Sequence, residues 1–385
     1  MKRDRNMIEI KVVNNGRLLK KFIDFPVKLY KGNKYFTPYI YEDEISNLMP
    51  GKNPAASYCD FKLFLAYREG KIVGRICAIL NHFSNEKYHQ KRIRFNRIDM
   101  IDDIEVTKAL IKAVEDFGLQ NGMTEIAGPL GYSDQDKEGL LTYGFEEHNM
   151  FATFYHFPYY YEHLKQLGFI EDAKWNEYRV FIPDKPDLKL QKIADYTAKK
   201  YDFHIVQFKR KSKKAVKPYI VEVLSLVNRA YANLYGYVPI DEGQMYHLAD
   251  QYIPLINLDY MQIVVDSNNK VVAFGLMIPT PVFALKRHKG HLFPLGWISF
   301  LRAIKKEKIL DMLLVATEPE LKNSGVMTMV FAAAINNAVR NKVKYCETGP
   351  ELVTNEEVQS LWSRFEHVRH KTRACFVKPI ENNEK

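Results

Sequence analysis

The sequence predicts a mixed α/β (α+β) chain in which one unit is used twice, each copy a mixed central β-sheet flanked by helices. Three observations lead there. Each half contains a pair of β-branched and aromatic runs joined by a short polar turn. Each pair is followed by an amphipathic helical stretch. Each half then closes a further strand on a Gly-Pro pair, Gly128-Pro129 and Gly349-Pro350. The Gly-Pro pairs and the hairpin turns, near Gly70 and Asn269, are separated by different distances. The architecture therefore repeats with unequal insertions and not with a short solenoid period.

In the first half, "FKLFLAY", the turn "REGK" and "IVGRICAIL" read as a hairpin, and "RIRFNRIDM" follows. Val106, Leu110, Ile111, Val114 and Phe117 recur at helical spacing, with acids at the start and Gly118 and Gly122 near the end. "MTEIAGPL" reads as a strand, "YYYEHLKQLGF" as a helix and "EYRVFI" as a final strand. The second half repeats the order. "DYMQIVV", "DSNNK" and "VVAFGLMIP" form a hairpin, "ILDMLLVAT" a strand, and "GVMTMVFAAAINNAVRNK" a helix. "VKYCETGPEL" is then a strand, "NEEVQSLWSRF" a helix and "KTRACFVKPI" a last strand. The expected division is a first unit over 1–185, a connecting helix and basic loop over 186–217, and a second unit over 218–385.

Composition bounds the function. At 385 residues, with 46% hydrophobic and 26% charged residues, the chain is globular and long enough for two domains. Its net charge of +10 favours anionic partners, and "FKRKSKKAVK" (Phe208–Lys217) carries six Lys/Arg over ten residues. Four scattered cysteines without CxxC spacing suggest neither a zinc site nor a disulfide framework. The basic start "MKRDRNMIEIKVV" lacks an apolar run of signal-peptide length, and no run of ~18 apolar residues suggests a spanning helix. These features imply a cytoplasmic protein with no membrane partner. His367 and His370 lack a third ligand nearby, so no metal is expected. No GxxxxGK[ST], GxGxxG or GxSxG motif is present.

The order hairpin, strand, short polar turn, helix, strand, helix, strand resembles the GNAT (Gcn5-related N-acetyltransferase) fold. Two copies in one chain are similar to tandem members such as N-myristoyltransferase, mycothiol synthase and the Fem aminoacyl-tRNA-dependent ligases. The stretches "DFPVKLYKGNKYFTP", "LAYREGKIVGRICAILN", "GPLGYSDQDKEGLL", "YYYEHLKQLGF" and "LVNRAYANLYGYVPI" carry a likeness to bacterial GNAT-related proteins of unassigned substrate.

The resemblance implies an acyl-CoA, acetyl-CoA or another, held where the fourth strand turns into the third helix. The family pattern Arg/Gln-x-x-Gly-x-Gly/Ala falls on Lys322, Asn323, Ser324, Gly325, Val326 and Met327, with Met327 in place of the last small residue. Helix N-terminal amides and dipole favour phosphate there. Acids at Asp102, Asp103 and Glu105 leave the first half without such a loop. The fourth strand would offer a backbone donor around Val315 to Thr317, and Asn355 would bond the pantetheine arm or simply cap its helix. The family's tyrosine acid is replaced by Trp362, whose indole cannot serve.

The candidate catalytic groups are Glu347 as base and Tyr235 as substitute acid. Tyr132, Ser133, Asp134 and Glu138, with Asp136 in the same polar loop, and Tyr155 in the aromatic stretch after it are the candidate acceptor-binding residues. The activity this implies is acyl-CoA-dependent N-acyl transfer to a small-molecule or peptide amine. The alternatives are a catalytically lapsed GNAT-like binding protein and an aminoacyl-tRNA-dependent transferase. Without a coiled-coil arm, nucleic acid is not favoured.

Overall fold

The computed structural model describes residues 7–381 except 135, 209–212 and 254–255. Most of the basic run 209–214 therefore lies outside the described residues. The first half runs β1 (Glu9–Val12), α1 (Gly16–Leu29), α2 (Tyr41–Asn47), β2 (Cys59–Arg68), β3 (Lys71–Asn81) and α3 (His82–Lys87). It continues with β4 (Arg92–Met100), α4 (Ile104–Gln120), β5 (Glu125–Gly128), β6 (Leu140–Tyr143), α5 (Tyr159–Gln166) and β7 (Ile170–Phe181). The second half runs α6 (Leu188–Tyr201), β8 (His204–Ile205), α7 (Lys217–Ala230), α8 (Glu242–Tyr252), β9 (Met261–Val265), β10 (Val271–Pro279) and α9 (Val282–His288). Then come α10 (Gly296–Lys306), β11 (Ile309–Thr317), α11 (Val326–Arg340), β12 (Tyr345–Glu347), β13 (Glu351–Leu352), α12 (Glu356–Leu361) and β14 (His367–Pro379).

Local chemistry explains the elements that frame the site. The β2–β3 turn places both Glu69 (φ 49°) and Gly70 (φ 74°) in the left-handed region, as a tight two-residue hairpin requires. Helix α4 begins at Asp103, whose side chain accepts from the Glu105 N–H, and it buries Val106, Leu110, Ile111, Val114 and Phe117 as their spacing predicts. These residues cover the first half of the sheet together with Ile76, Ile93, Phe95 and Phe376. In the second half, Val326, Met329, Val330 and Ile335 of α11 form the matching layer with Val264, Val272 and Ala273, and Leu190 and Ala194 of α6 pack on its outer side.

All the strands join one mixed sheet in the order β1-β2-β3-β4-β5-β14-β7-β12-β11-β10-β9-β8, with β6 and β13 pairing beside it on β14 and β7. The sequence predicts β7 and β14 as the last strand of each half. The sheet exchanges them. β14 lies against β5 of the first half, with Phe376 opposite Gly128, while β7 lies against β12 of the second, with Val180 opposite Cys346. The two exchanged strands pair with each other antiparallel along the middle of the sheet. A boundary drawn in the sequence near 186–217 thus cuts the chain without cutting the sheet.

A charge cluster lies at this seam. Glu177 on β7 pairs with Arg373 and, at 3.0 Å, with Lys371, both on β14, and none of the three has measurable exposure. Against the desolvation of burial, Arg373 and Lys371 hold the Glu177 carboxyl down to about 2. Replacing Glu177 with Ala would leave the buried Arg373 without its carboxylate and Lys371 with Glu347 alone, so Glu177→Ala should cost about 3–5 kcal/mol of unfolding free energy, measured by urea denaturation. A loss under about 1 kcal/mol would mean that the seam does not depend on this pairing.

Candidate active site

Strands β11 and β12 are parallel neighbours only over Ile309–Asp311 and Tyr345–Glu347. Beyond that point they part. The β10–β11 register shifts between Leu276 and Met277, leaving Leu313 as an extra residue that bends β11. On the other side the chain leaves β12 and follows β7, with Glu351 opposite Asn176 and Leu352 opposite Trp175. The result is a V-shaped split between two neighbouring strands. The Val315 carbonyl opens into it and accepts the Tyr231 hydroxyl at 2.8 Å. In extended backbone a residue's N–H and C=O share one edge, so the Val315 amide points the same way. Beside it, Thr317 Oγ1 is buried with no hydrogen-bond partner among the described residues.

Between the split and α11 lies a narrow apolar cavity. Its floor is Gly275, Met277, Met312 and Leu314, its roof Val330, Ala334 and Ala338, and Trp362 and Phe365 close one side. Small residues on α11 make the room, since a larger side chain at 334 or 338 would fill it.

Glu351, absent from the residues the sequence singled out, stands where β13 leaves the split. The Trp362 indole N–H donates to both of its carboxylate oxygens, at 3.0 and 2.9 Å. Trp362 is 1% exposed and lines the cavity. Burial pushes the Glu351 carboxyl up to about 7, although the Trp362 and Thr348 bonds pull it back. Trp362 therefore orients a carboxyl. Two signals in the sequence mark the pair: an acid directly after Gly349-Pro350, and a buried-type indole that must find an acceptor.

Tyr231 lies in the same polar-aromatic loop as Tyr235, which the sequence reading prefers as the acid. Desolvation pushes the Tyr231 hydroxyl up to about 12, with Asp134 and Glu351 adding to the rise, so it keeps its proton at neutral pH. Asp134 belongs to the first half, and its charge also reaches Tyr237 and Glu138. Glu138 is itself held well above the usual carboxylate range by burial and by Asp134. Acids from the first half thus act on the same region as Tyr231 and Glu351 from the second.

The predicted residues fall into separate places. Glu347 is 6% exposed and is held by Arg179 at 2.9 Å and Lys371 at 3.4 Å. Against burial, Lys371, His370 and Arg179 keep it ionised, which suits an anchor in the sheet better than a titrating base. Tyr235 bonds Asp172 and Arg92 where the halves meet, and burial with the nearby Cys375 and Asp172 raises its hydroxyl far above the ordinary value. Tyr155 is 4% exposed, edge-on to Tyr30, and donates to the Phe145 carbonyl.

The loop holding Tyr132, Ser133 and Asp134 is built inward. Leu130 N–H donates to Phe95, Asn96 donates to the Lys137 carbonyl, and Arg94 donates to the Gly131 carbonyl. Asp136 accepts from the Tyr132 and Ser133 amides. The Tyr132 ring is buried and its hydroxyl donates to the Asn47 carbonyl. β4 and β5 pair only over Arg92–Arg94, so this loop fills in the first half the kind of split that stays open in the second.

At the turn into α11, Gly325 caps the helix at φ 87°, and an added Cβ would come within 2.8 Å of Thr197 Oγ1. Lys322 and Asn323 are exposed there, Ser324 accepts from the Val326 amide, and Val326 is fully buried. Met327 packs on the core shared by α6 and α11. Asn355 caps α12, its side chain accepting from the Val358 amide. The residues present fit a phosphate-bearing acyl thioester: a glycine turn and exposed lysine at a long helix start, a strand amide aimed into the split, and an apolar cavity beyond. Among the described residues no cluster of His, Cys, Asp and Glu could hold a metal ion.

No protein-family model matches the chain. It is 26% identical over 376 residues to protein YghO of Escherichia coli K12, covering 95% of this chain and 94% of that one. It is also 26% identical over 291 residues to the bacterial ceramide synthase of Caulobacter vibrioides, 74% of each. Among solved structures, a tandem GNAT protein from the clavulanic acid biosynthesis pathway matches 98% of this chain and all of its own length, at a TM-score of 0.57 and 10% identity. The chain has the tandem GNAT fold.

Glu351 ties stability to pH. Its carboxyl is raised in the fold, so its contribution is complete below the ordinary value of 4.5 and is lost as pH climbs through about 7. Glu351→Gln, which cannot ionise, should flatten the fall in unfolding free energy between pH 5 and 8 by about 2 kcal/mol. Denaturation series at the two pH values measure it.

Proposed function

We propose that this protein is a thioester-dependent N-acyltransferase whose acyl group is a long hydrocarbon chain and whose acceptor is an amine. The observation that carries the reading is the open split of β11 and β12 with Glu351 at its edge and the apolar cavity behind it. The cavity is lined by apolar side chains, so it rewards each methylene buried there by about 0.8 kcal/mol. The Caulobacter relative is named a ceramide synthase, and a ceramide is a long-chain amino alcohol acylated on nitrogen.

A coenzyme A thioester held at the Lys322–Met327 turn would supply the activated acyl carbon. The remaining work belongs to this chain. An amine reaches the enzyme mostly as an ammonium ion and must lose a proton to become nucleophilic. Glu351, with a carboxyl near 7 and both oxygens fixed by Trp362, can take that proton at neutral pH. The Asp134 carboxylate favours a cationic acceptor in the same region. The Val315 amide stands where a carbonyl oxygen gaining charge would need a donor. Tyr231, which keeps its proton and lies against Val315, would be the acid for the leaving thiolate.

Purified protein should release free thiol from long-chain acyl-CoA in the presence of a long-chain amino alcohol, and long-chain acyl-CoA should raise its melting temperature. Glu351→Gln should lower turnover by ~10²–10⁴-fold and remove the rise in rate near pH 7, while leaving thioester binding intact. Ala334→Phe should shift the preferred acyl chain to shorter lengths. No thiol release with any chain length or amine, together with no thermal shift, would overturn the proposal.

A further inference from the structure

Where the first half joins β3 to β4 through residues 82–91, the second half joins β10 to β11 through residues 280–308. This insertion forms α9, a turn and α10. One face is part of the core: Leu285, Phe300 and Ile304 are buried and pack against Ile40 and Phe151 of the first half. The Tyr41 amide donates to the Gly290 carbonyl at 3.0 Å, and the Tyr41 and His291 rings lie 4.2 Å apart. The insertion is therefore a fixed part of the surface.

Its outer face is unlike the rest of the molecule. Phe293 is 69% exposed, Leu295 63%, Trp297 44% and Ile298 41%, so four large apolar side chains face water within six positions. Scattered apolar residues on a surface are ordinary, but a contiguous ridge of them marks a contact surface. Between Val282 and Lys306 the sequence has six Lys/Arg and no Asp or Glu. Arg287, Lys289, Arg302, Lys305 and Lys306 are exposed around the ridge. Glu307 follows only at the end of α10, and the Glu42 carboxylate beside the turn accepts from the Leu292 amide. The Trp297 indole N–H is already satisfied by the Pro294 carbonyl at 3.1 Å, so the ring can leave water without stranding a donor.

We infer that this face docks the protein on an anionic lipid bilayer, with Phe293, Leu295, Trp297 and Ile298 inserted at the headgroup boundary and the surrounding cations on lipid phosphates. The combination is that of an interfacial helix: apolar side chains at one level, lysine and arginine around them, no acids. Charge selects this occupant. Two copies meeting through the same patch would bring ten exposed cations together. A nucleic acid would satisfy the cations and leave Leu295 and Ile298 in water, since neither offers a stacking face. Among the described residues no helix is long and apolar enough to cross a membrane, and lying on a surface does not require one.

The full chain should co-sediment with vesicles of phosphatidylglycerol and phosphatidylcholine and not with phosphatidylcholine alone, and high salt should release it. The triple substitution Phe293→Ser, Leu295→Ser, Trp297→Ser should weaken partition by at least ~100-fold, with at most a small change in melting temperature because none of the three belongs to the buried cluster beneath. Arg302→Gln, Lys305→Gln, Lys306→Gln should remove the preference for anionic vesicles by roughly tenfold or more. Absence of binding to anionic vesicles, or binding that survives both triple variants, would overturn the inference. So would a dimer in sedimentation that the apolar variant dissolves, which would make the ridge an interface between copies. The measurement needs no acyl donor or acceptor, so it stands or falls apart from the proposed activity.

Discussion

The exchange of β7 and β14 is the constraint on which the rest of the structure depends. A duplicated unit could have closed each sheet with its own last strand. Here each sheet closes with the other half's strand, and the price is a seam of buried charge. Glu177, Lys371 and Arg373 sit without exposure, paired with one another, with Glu347 and with nearby carbonyls such as Phe154. Such a set tolerates no slip of register, because a one-residue shift of β14 would turn the cations to the opposite face. The seam extends through Lys371 to Glu347, so it also fixes the end of β12, and with it one wall of the split.

The two halves have diverged around the same gap. In the first, Arg94, Asn96 and Asn81 hold the 129–139 loop inside the opening, and the half serves as a wall. In the second, Leu313 bends β11 away and the opening stays free, roofed by a helix whose alanines leave space. Asymmetry of this kind lets one copy carry acids toward a cleft that the other copy lines with apolar groups. The Trp362–Glu351 pair belongs to the same logic: indole N–H and carboxylate are each costly to bury alone and inexpensive together.

Most of the elements were legible because they are local. Ile309–Thr317 is the strand that its apolar run marks, and α4 buries the five residues that its periodicity marks. The strand exchange was not legible, since either last strand offers an acceptable partner to either sheet and the choice is made by contacts some two hundred residues away. The 129–139 loop reads as functional because it is polar; what only the fold reveals is that its backbone carbonyls at Gly131, Tyr132 and Lys137 accept from the buried Arg94, Asn81 and Asn96. Glu351 was missed for a related reason. Its sequence neighbourhood resembles any strand end, and its altered acidity comes from burial and from Trp362, eleven residues further on. Residues 280–308, rich in Pro, Gly and cations, offered no clean period until the inward face separated from the outward one.

The exchanged strands also set an order in time. Residues 367–379 supply the inner partner of β5, which was synthesised some two hundred and forty residues earlier. On a ribosome the first half can assemble its hairpins and α4 while its sheet still ends in an open edge at β5, exposed to whatever strand arrives. The second half cannot seat β7 between its proper neighbours until the same late segment appears. Both halves are therefore completed by one event, the arrival of β14, and until then the chain depends on keeping that edge unpaired.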